Sequence, residues 1–69
     1  MTDTTKLLDR IRQSGLRKGY IAAQMGLSHA ALARKINNKN DFKASEIEAL
    51  CSLLGIETLE EKEALFFAQ

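Results

Sequence analysis

Residues 18–37, Lys-Gly-Tyr-Ile-Ala-Ala-Gln-Met-Gly-Leu-Ser-His-Ala-Ala-Leu-Ala-Arg-Lys-Ile-Asn, constrain this chain more than any other stretch. They read as a helix, a tight turn and a second helix. Ala22 is followed four residues later by Gly26, and six residues after that by Leu32. Two short helices crossing steeply need a small side chain where they touch, which suits Ala22. The turn between them needs a residue free to take positive φ, which suits Gly26. Ile21, Met25 and Leu32 then fill the wedge between the helices. This is the sequence form of a helix-turn-helix.

The rest of the chain must supply a core around that unit. Sixty-nine residues make one domain, 1–69. A chain this short buries only about 60% of its unfolded surface, so support from a cross-link, a metal or a second subunit is common at this size. Cys51 is the only cysteine, which excludes an internal disulfide, and with a single His no zinc site is expected. Self-association remains, and no cofactor or small-molecule ligand is expected. No apolar run approaches the roughly 20 residues that span a bilayer. The start, Met1-Thr-Asp-Thr-Thr, lacks the basic and apolar regions of a signal peptide, so a cytoplasmic location is expected.

Net charge is only +1, but it is unevenly placed. Residues 6–43 hold nine Lys or Arg (Lys6, Arg10, Arg12, Arg17, Lys18, Arg34, Lys35, Lys39, Lys43) against Asp9 and Asp41, a balance of +7. Residues 44–69 hold Lys62 against six glutamates, a balance of −5. A molecule with a positive and a negative pole orients itself toward a polyanion.

Five helices and no strand are predicted. The first spans about Thr5–Ser14, with Leu7, Leu8 and Ile11 inward, Gly15 as a left-handed stop and Leu16 packing behind it. The second covers about Lys18–Met25. The third runs from Ser28, its N-cap, to about Asn37, where Asn37-Asn38 suits a left-handed exit. In the polar loop that follows, residues 38–43, Phe42 is expected to anchor to the core. The fourth helix is predicted to start at Ser45, with Glu48 closing a capping box, and to bury Ile47, Leu50, Cys51 and Leu54. Thr58 and Glu61 predict a second capping box for the C-terminal helix, within 58–69. Phe66 and Phe67 are adjacent, so one of them can enter the core and the other is exposed unless a second subunit covers it.

These residues together resemble the Cro/repressor-type helix-turn-helix regulators of phages and bacteria, the XRE family. The matching positions are Gly15-Leu16, Ile21-Ala22, Met25-Gly26-Leu27-Ser28, Leu32-Ala33-Arg34, Asn37, Lys39, Leu50 and Leu53-Leu54-Gly55-Ile56, over roughly residues 6–58. Lys35-Ile36-Asn37-Asn38-Lys39 is most similar to the short phage Cro-like members. The resemblance implies an all-α, five-helix, lambda-repressor-like DNA-binding domain. Three positions depart from the family's pattern. Lys35 stands where an apolar residue is usual, so Ile36 is left to supply the packing and the end of the helix can be rotated or extended. Arg17 and Lys18 stand where a Thr-type cap and a Gln are usual. Gly19 replaces a helix former.

The resemblance further implies that the third helix enters the major groove of double-stranded DNA, with His29, Ala30 and Arg34 at the base edges. The Arg34 guanidinium can pair bidentately with guanine O6 and N7, His29 can donate to a guanine acceptor or a phosphate, and Ala30 offers only a methyl. Arg17 and Lys18 oppose the macrodipole at a helix N-terminus, an arrangement that a phosphate bound there would make favourable. Ser28, Asn37, Asn38, Lys39 and Lys43 are the other candidate phosphate contacts. The Tyr20 hydroxyl is left open between phosphate and solvent. Phe66 and Phe67 are the candidate dimer contact.

The expected function is a sequence-specific transcriptional regulator, a Cro-like repressor that binds a pseudo-palindromic operator as a homodimer in the bacterial cytoplasm. The alternative is a helical interaction module, of antitoxin or antirepressor type, working through its acidic, aromatic C-terminal helix. No catalytic set, paired carboxylates or phosphate loop supports an enzyme.

Overall fold

Leu7, Ile21, Leu32, Ile36 and Leu50 are fully buried, and they come from four different helices. In the computed structural model, which describes all 69 residues, the helices are α1 (Thr4–Ser14), α2 (Lys18–Gln24), α3 (His29–Ile36), α4 (Ala44–Leu54) and α5 (Leu59–Phe66). There is no strand. α1 packs against α3, α4 and α5, and α2 packs against α3 and α4. The apolar stripes predicted for α1 and α4 account for this. Leu7 and Ile11 of α1 and Ile47, Leu50, Cys51 and Leu54 of α4 all lie in one core cluster, with Leu8 and Leu16 packed at its edge.

The helix ends follow local chemistry. Asp3 caps α1 by accepting from the Lys6 N–H, so α1 begins one residue before the predicted start. Ser28 caps α3 and Thr58 caps α5, as their sequence contexts predict. The start of α4 differs from its prediction. Lys43, not Ser45, is the N-cap, because the Glu46 carboxylate reaches back to accept from the Lys43 N–H at 2.8 Å. The Lys43 side chain has no acceptor to return, so only one arm of a capping box forms. Glu48 is freed from that role and pairs with Lys62 of α5 at 2.6 Å. Thr58 likewise accepts from the Glu61 N–H, but the Glu61 carboxylate turns to Arg10 of α1, 2.9 Å away.

The N-terminal residues join the two ends of the fold. The Asp3 N–H donates to Leu65 O and the Ala68 N–H to Met1 O, which fastens the segment to α5. The Asn38 side chain pairs with the backbone of Thr2 in both directions, at 2.9 and 2.8 Å, and the Thr4 hydroxyl donates to Ile36 O at 2.6 Å. The last carbonyl of α3, an acceptor left over by the helix, is thereby satisfied from α1. With α5 folded back, the Cα radius of gyration is 10.7 Å. That is near the about 11 Å expected of a closed domain of this length, so α5 does not project as a free arm. No helix is long and apolar enough to cross a membrane.

Candidate nucleic-acid interface

α2 and α3 are joined by residues 25–28. Gly26 takes φ +70°, its N–H donates to Ala23 O, and the Leu27 N–H donates to Ala22 O at 2.8 Å. This pair of bonds is a Schellman motif, which requires a left-handed residue in the Gly26 position. Ala22 is buried and Met25 packs at the core edge, so the wedge between the helices is filled as the spacing predicts.

The turn orients α3. Leu32 and Ile36 face the core, whereas His29, Ala30, Arg34 and Asn37 are exposed and Ala33 is half-buried. Offsets of one, four, five and eight residues from His29 place these five on one helical face. The three base-edge candidates therefore lie together on the surface. At the start of the face, the Ser28 Oγ accepts from the Ala31 N–H at 3.0 Å and keeps its own proton to donate. At the other end, the Asn37 amide folds back on Ala33 O at 2.9 Å.

Lys35 does not follow the expectation of a rotated or extended helix end. α3 stops at Ile36, and Lys35 and Ile36 both turn inward. The Lys35 ammonium donates to Glu46 Oε1 at 2.7 Å and to Asp41 O at 3.1 Å. Both side chains of the pair are only 11% exposed. Burial pushes the Glu46 carboxyl up. Hydrogen bonds from Lys35 and from the Lys43 N–H, with the charges of both residues, outweigh this and hold it below its ordinary value. An inward position three residues after Leu32 and beside Ile36 marks Lys35 as a buried cation in need of an anion. The sequence does not reveal which acid meets it.

Among the candidate phosphate contacts, Arg17, Lys18, Lys39 and Lys43 are exposed. Arg17 is the N-cap of α2 and makes no capping hydrogen bond, and no acid lies in that first turn. Tyr20 is half exposed, so its hydroxyl remains open to solvent or phosphate. Asn38 differs. It adopts φ 63°, as a left-handed exit requires, but its Nδ2 donates to Thr2 O at 2.8 Å and lies 3.5 Å from Thr4 Oγ1. The short bond to Thr2 O commits one of the two amide protons and turns the carboxamide toward the N-terminal segment. Nothing in the spacing of Thr2 and Asn38 signals this pairing.

Four ion pairs remove charge selectively. Arg10, Arg12, Lys35 and Lys62 are neutralised by Glu61, Asp9, Glu46 and Glu48. The cations left without an acidic partner are Lys6, Arg17, Lys18, Arg34, Lys39 and Lys43. Four of these six belong to α2, α3 or the loop that follows, and a fifth, Arg17, is the N-cap of α2.

The C-terminal aromatics separate, as adjacent helical positions must. Phe66 is buried and meets Phe42 edge-on with ring centroids 5.5 Å apart. Phe42 thus anchors its loop, and Phe66, predicted as a dimer contact, is a core residue instead. Phe67 is 54% exposed, near Met1 and Phe42 on one side and Leu59 on the other. Cys51 is buried, and burial, aided by Glu48 and Glu61 against Lys62, raises its pKa and keeps it a thiol. No family model, no curated protein and no solved structure matches this chain.

Proposed function

We propose that the protein is a sequence-specific DNA-binding transcriptional regulator of the Cro-like repressor type. α2 and α3 act as a helix-turn-helix, with α3 in the major groove. The observation that carries this reading is the distribution of uncompensated charge. Internal ion pairs neutralise Arg10, Arg12, Lys35 and Lys62, yet leave Arg17, Lys18, Arg34, Lys39 and Lys43 exposed and without an acidic partner, all within the stretch that runs from the α2 N-cap to the end of the loop after α3. Arg34 and His29 read base edges, and the Ala30 methyl allows close approach or meets a thymine methyl. Arg17, Lys18, Lys39 and Lys43 hold phosphates, with Ser28 and Asn37 adding hydrogen bonds. So few specific donors make DNA shape and half-site spacing part of the recognition. Two copies on half-sites about 34 Å apart complete the operator complex, and Phe67 is the exposed C-terminal aromatic available for their contact.

The test is duplex binding at two salt concentrations. Four phosphate contacts per protomer imply, for one bound copy, a log–log slope of about −3.6, or roughly a 100-fold loss of affinity between about 50 and 200 mM salt, and about twice that slope for a bound dimer. Absence of binding at the lower salt refutes the proposal. A second reading, an interaction module, is favoured by a separate observation. Met1, Leu59 and Phe67 are exposed by 74%, 66% and 54%, and Glu57, Glu60 and Glu63 beside them have no cationic partner. Capture of a partner protein that survives Phe67→Ala disposes of that reading for this face.

A further inference from the structure

We infer that Lys35 and Glu46 form a clamp that positions the loop between α3 and α4, residues 37–43, so that Lys39 and Lys43 meet the nucleic-acid backbone from fixed places. The phosphate half of this inference rests on the DNA-binding reading above. The clamp itself rests on geometry. One oxygen, Glu46 Oε1, accepts from Lys35 Nζ at 2.7 Å and from the Lys43 N–H at 2.8 Å. The same Lys35 Nζ donates to Asp41 O at 3.1 Å. A single carboxylate oxygen therefore ties α3, the loop and the first turn of α4 together. At its other end the loop is closed by Lys39 N–H to Arg34 O at 2.8 Å and by the Asn38–Thr2 pair.

An apolar side chain in place of Lys35 would fill the same volume without the desolvation cost of a mostly buried ion pair. It could not hold the Asp41 carbonyl. What the cation adds is thus a tether on the loop. Lys35 is neutralised and buried, so it does not itself contact phosphate; it is a positioning residue. Lys39 and Lys43, on either side of the tethered segment, are exposed, and neither side chain makes a salt bridge. Holding them in place before binding avoids the cost of ordering them afterwards.

The test uses the full chain with both charges removed together, Lys35→Met with Glu46→Gln, since removing one alone would strand the other. Backbone NMR order parameters for residues 40–43 should fall from about 0.85, the value of rigid backbone, toward 0.6. Duplex affinity should drop about tenfold, and Lys39→Ala, which weakens wild-type binding, should lose most of its effect in the double variant. If that double variant does not fold, Lys35→Leu with Glu46→Gln, which also strands no charge, should loosen the same residues. Unchanged order parameters overturn the clamp. Loosened residues with an undiminished Lys39→Ala effect overturn its role in presenting the cation. Wild-type protein that binds no duplex overturns the DNA reading and the phosphate half with it, while the order parameters still decide the clamp.

Discussion

Arg34 and Lys39 lie close in sequence on the same surface, but the proposed roles give them different signatures. Arg34→Ala should cost about 1–3 kcal/mol at one base position and relax discrimination there, whereas Lys39→Ala should weaken all duplexes alike. Equal losses on every sequence after Arg34→Ala would make Arg34 a phosphate contact. Competition binding against a set of single-base operator variants separates the two. The glycines also divide. Gly19 lies inside α2 without a positive φ, and a Cβ there would meet nothing within 4 Å. Gly19→Ala should therefore stabilise the fold by about 0.5–1 kcal/mol. Gly26 has equal space but φ +70°, so Gly26→Ala should destabilise by about 1–2 kcal/mol. Thermal melts of both variants check the pair. Space is the same at the two sites, so opposite signs would isolate backbone conformation as the cause.

At the scale of elements, helix starts were legible where the cap is a hydroxyl next to the helix and misread where a lysine serves. Ser28 and Thr58 hold the α3 and α5 starts, but α4 begins at Ala44 because the Glu46 carboxylate satisfies the Lys43 N–H from inside the helix. The same carboxylate holds Lys35, which makes the junction of α3 and α4 sensitive to acid. Its pKa is depressed in the folded state, so its contribution is complete above the unfolded carboxylate range near pH 4.3 and is lost as pH falls through the folded value. The difference in melting temperature between wild type and Glu46→Gln should accordingly be largest near neutral pH and shrink toward pH 3. A difference independent of pH would show that the carboxylate charge contributes nothing to the junction.

For the whole molecule, the partition of charge matters more than its sum. The acidic half of the sequence suggests a uniform negative pole, yet three of its six glutamates, Glu46, Glu48 and Glu61, are internal partners. The remaining three, Glu57, Glu60 and Glu63, stand on or just before α5, where Leu59 and Phe67 are exposed. If Phe67 forms the dimer contact, Phe67→Ala should lower the dimer fraction in sedimentation equilibrium and reduce affinity for a two-half-site operator, with single half-site binding little changed. Phe66→Ala should instead destabilise the fold by about 3–5 kcal/mol, since its ring fills the core against Phe42. Unchanged sedimentation of Phe67→Ala would remove this face from the assembly.

Local patterns alone determined the five helices, the inward stripes of α1 and α4, the small contact at Ala22 and the positive φ at Gly26 and Asn38. Each depends on residues within about one helical turn, where periodicity and steric limits on φ act directly. Only the tertiary structure decided that Lys35 meets Glu46, that Asn38 holds Thr2, and that Phe66 rather than Phe67 enters the core. Lys35 needs an anion and Asn38 needs polar partners, but neither requirement names a residue 11 or 36 positions away. Those choices are made when α3, α4 and α5 close around α1, because burial forces every polar group caught inside to find its partner there.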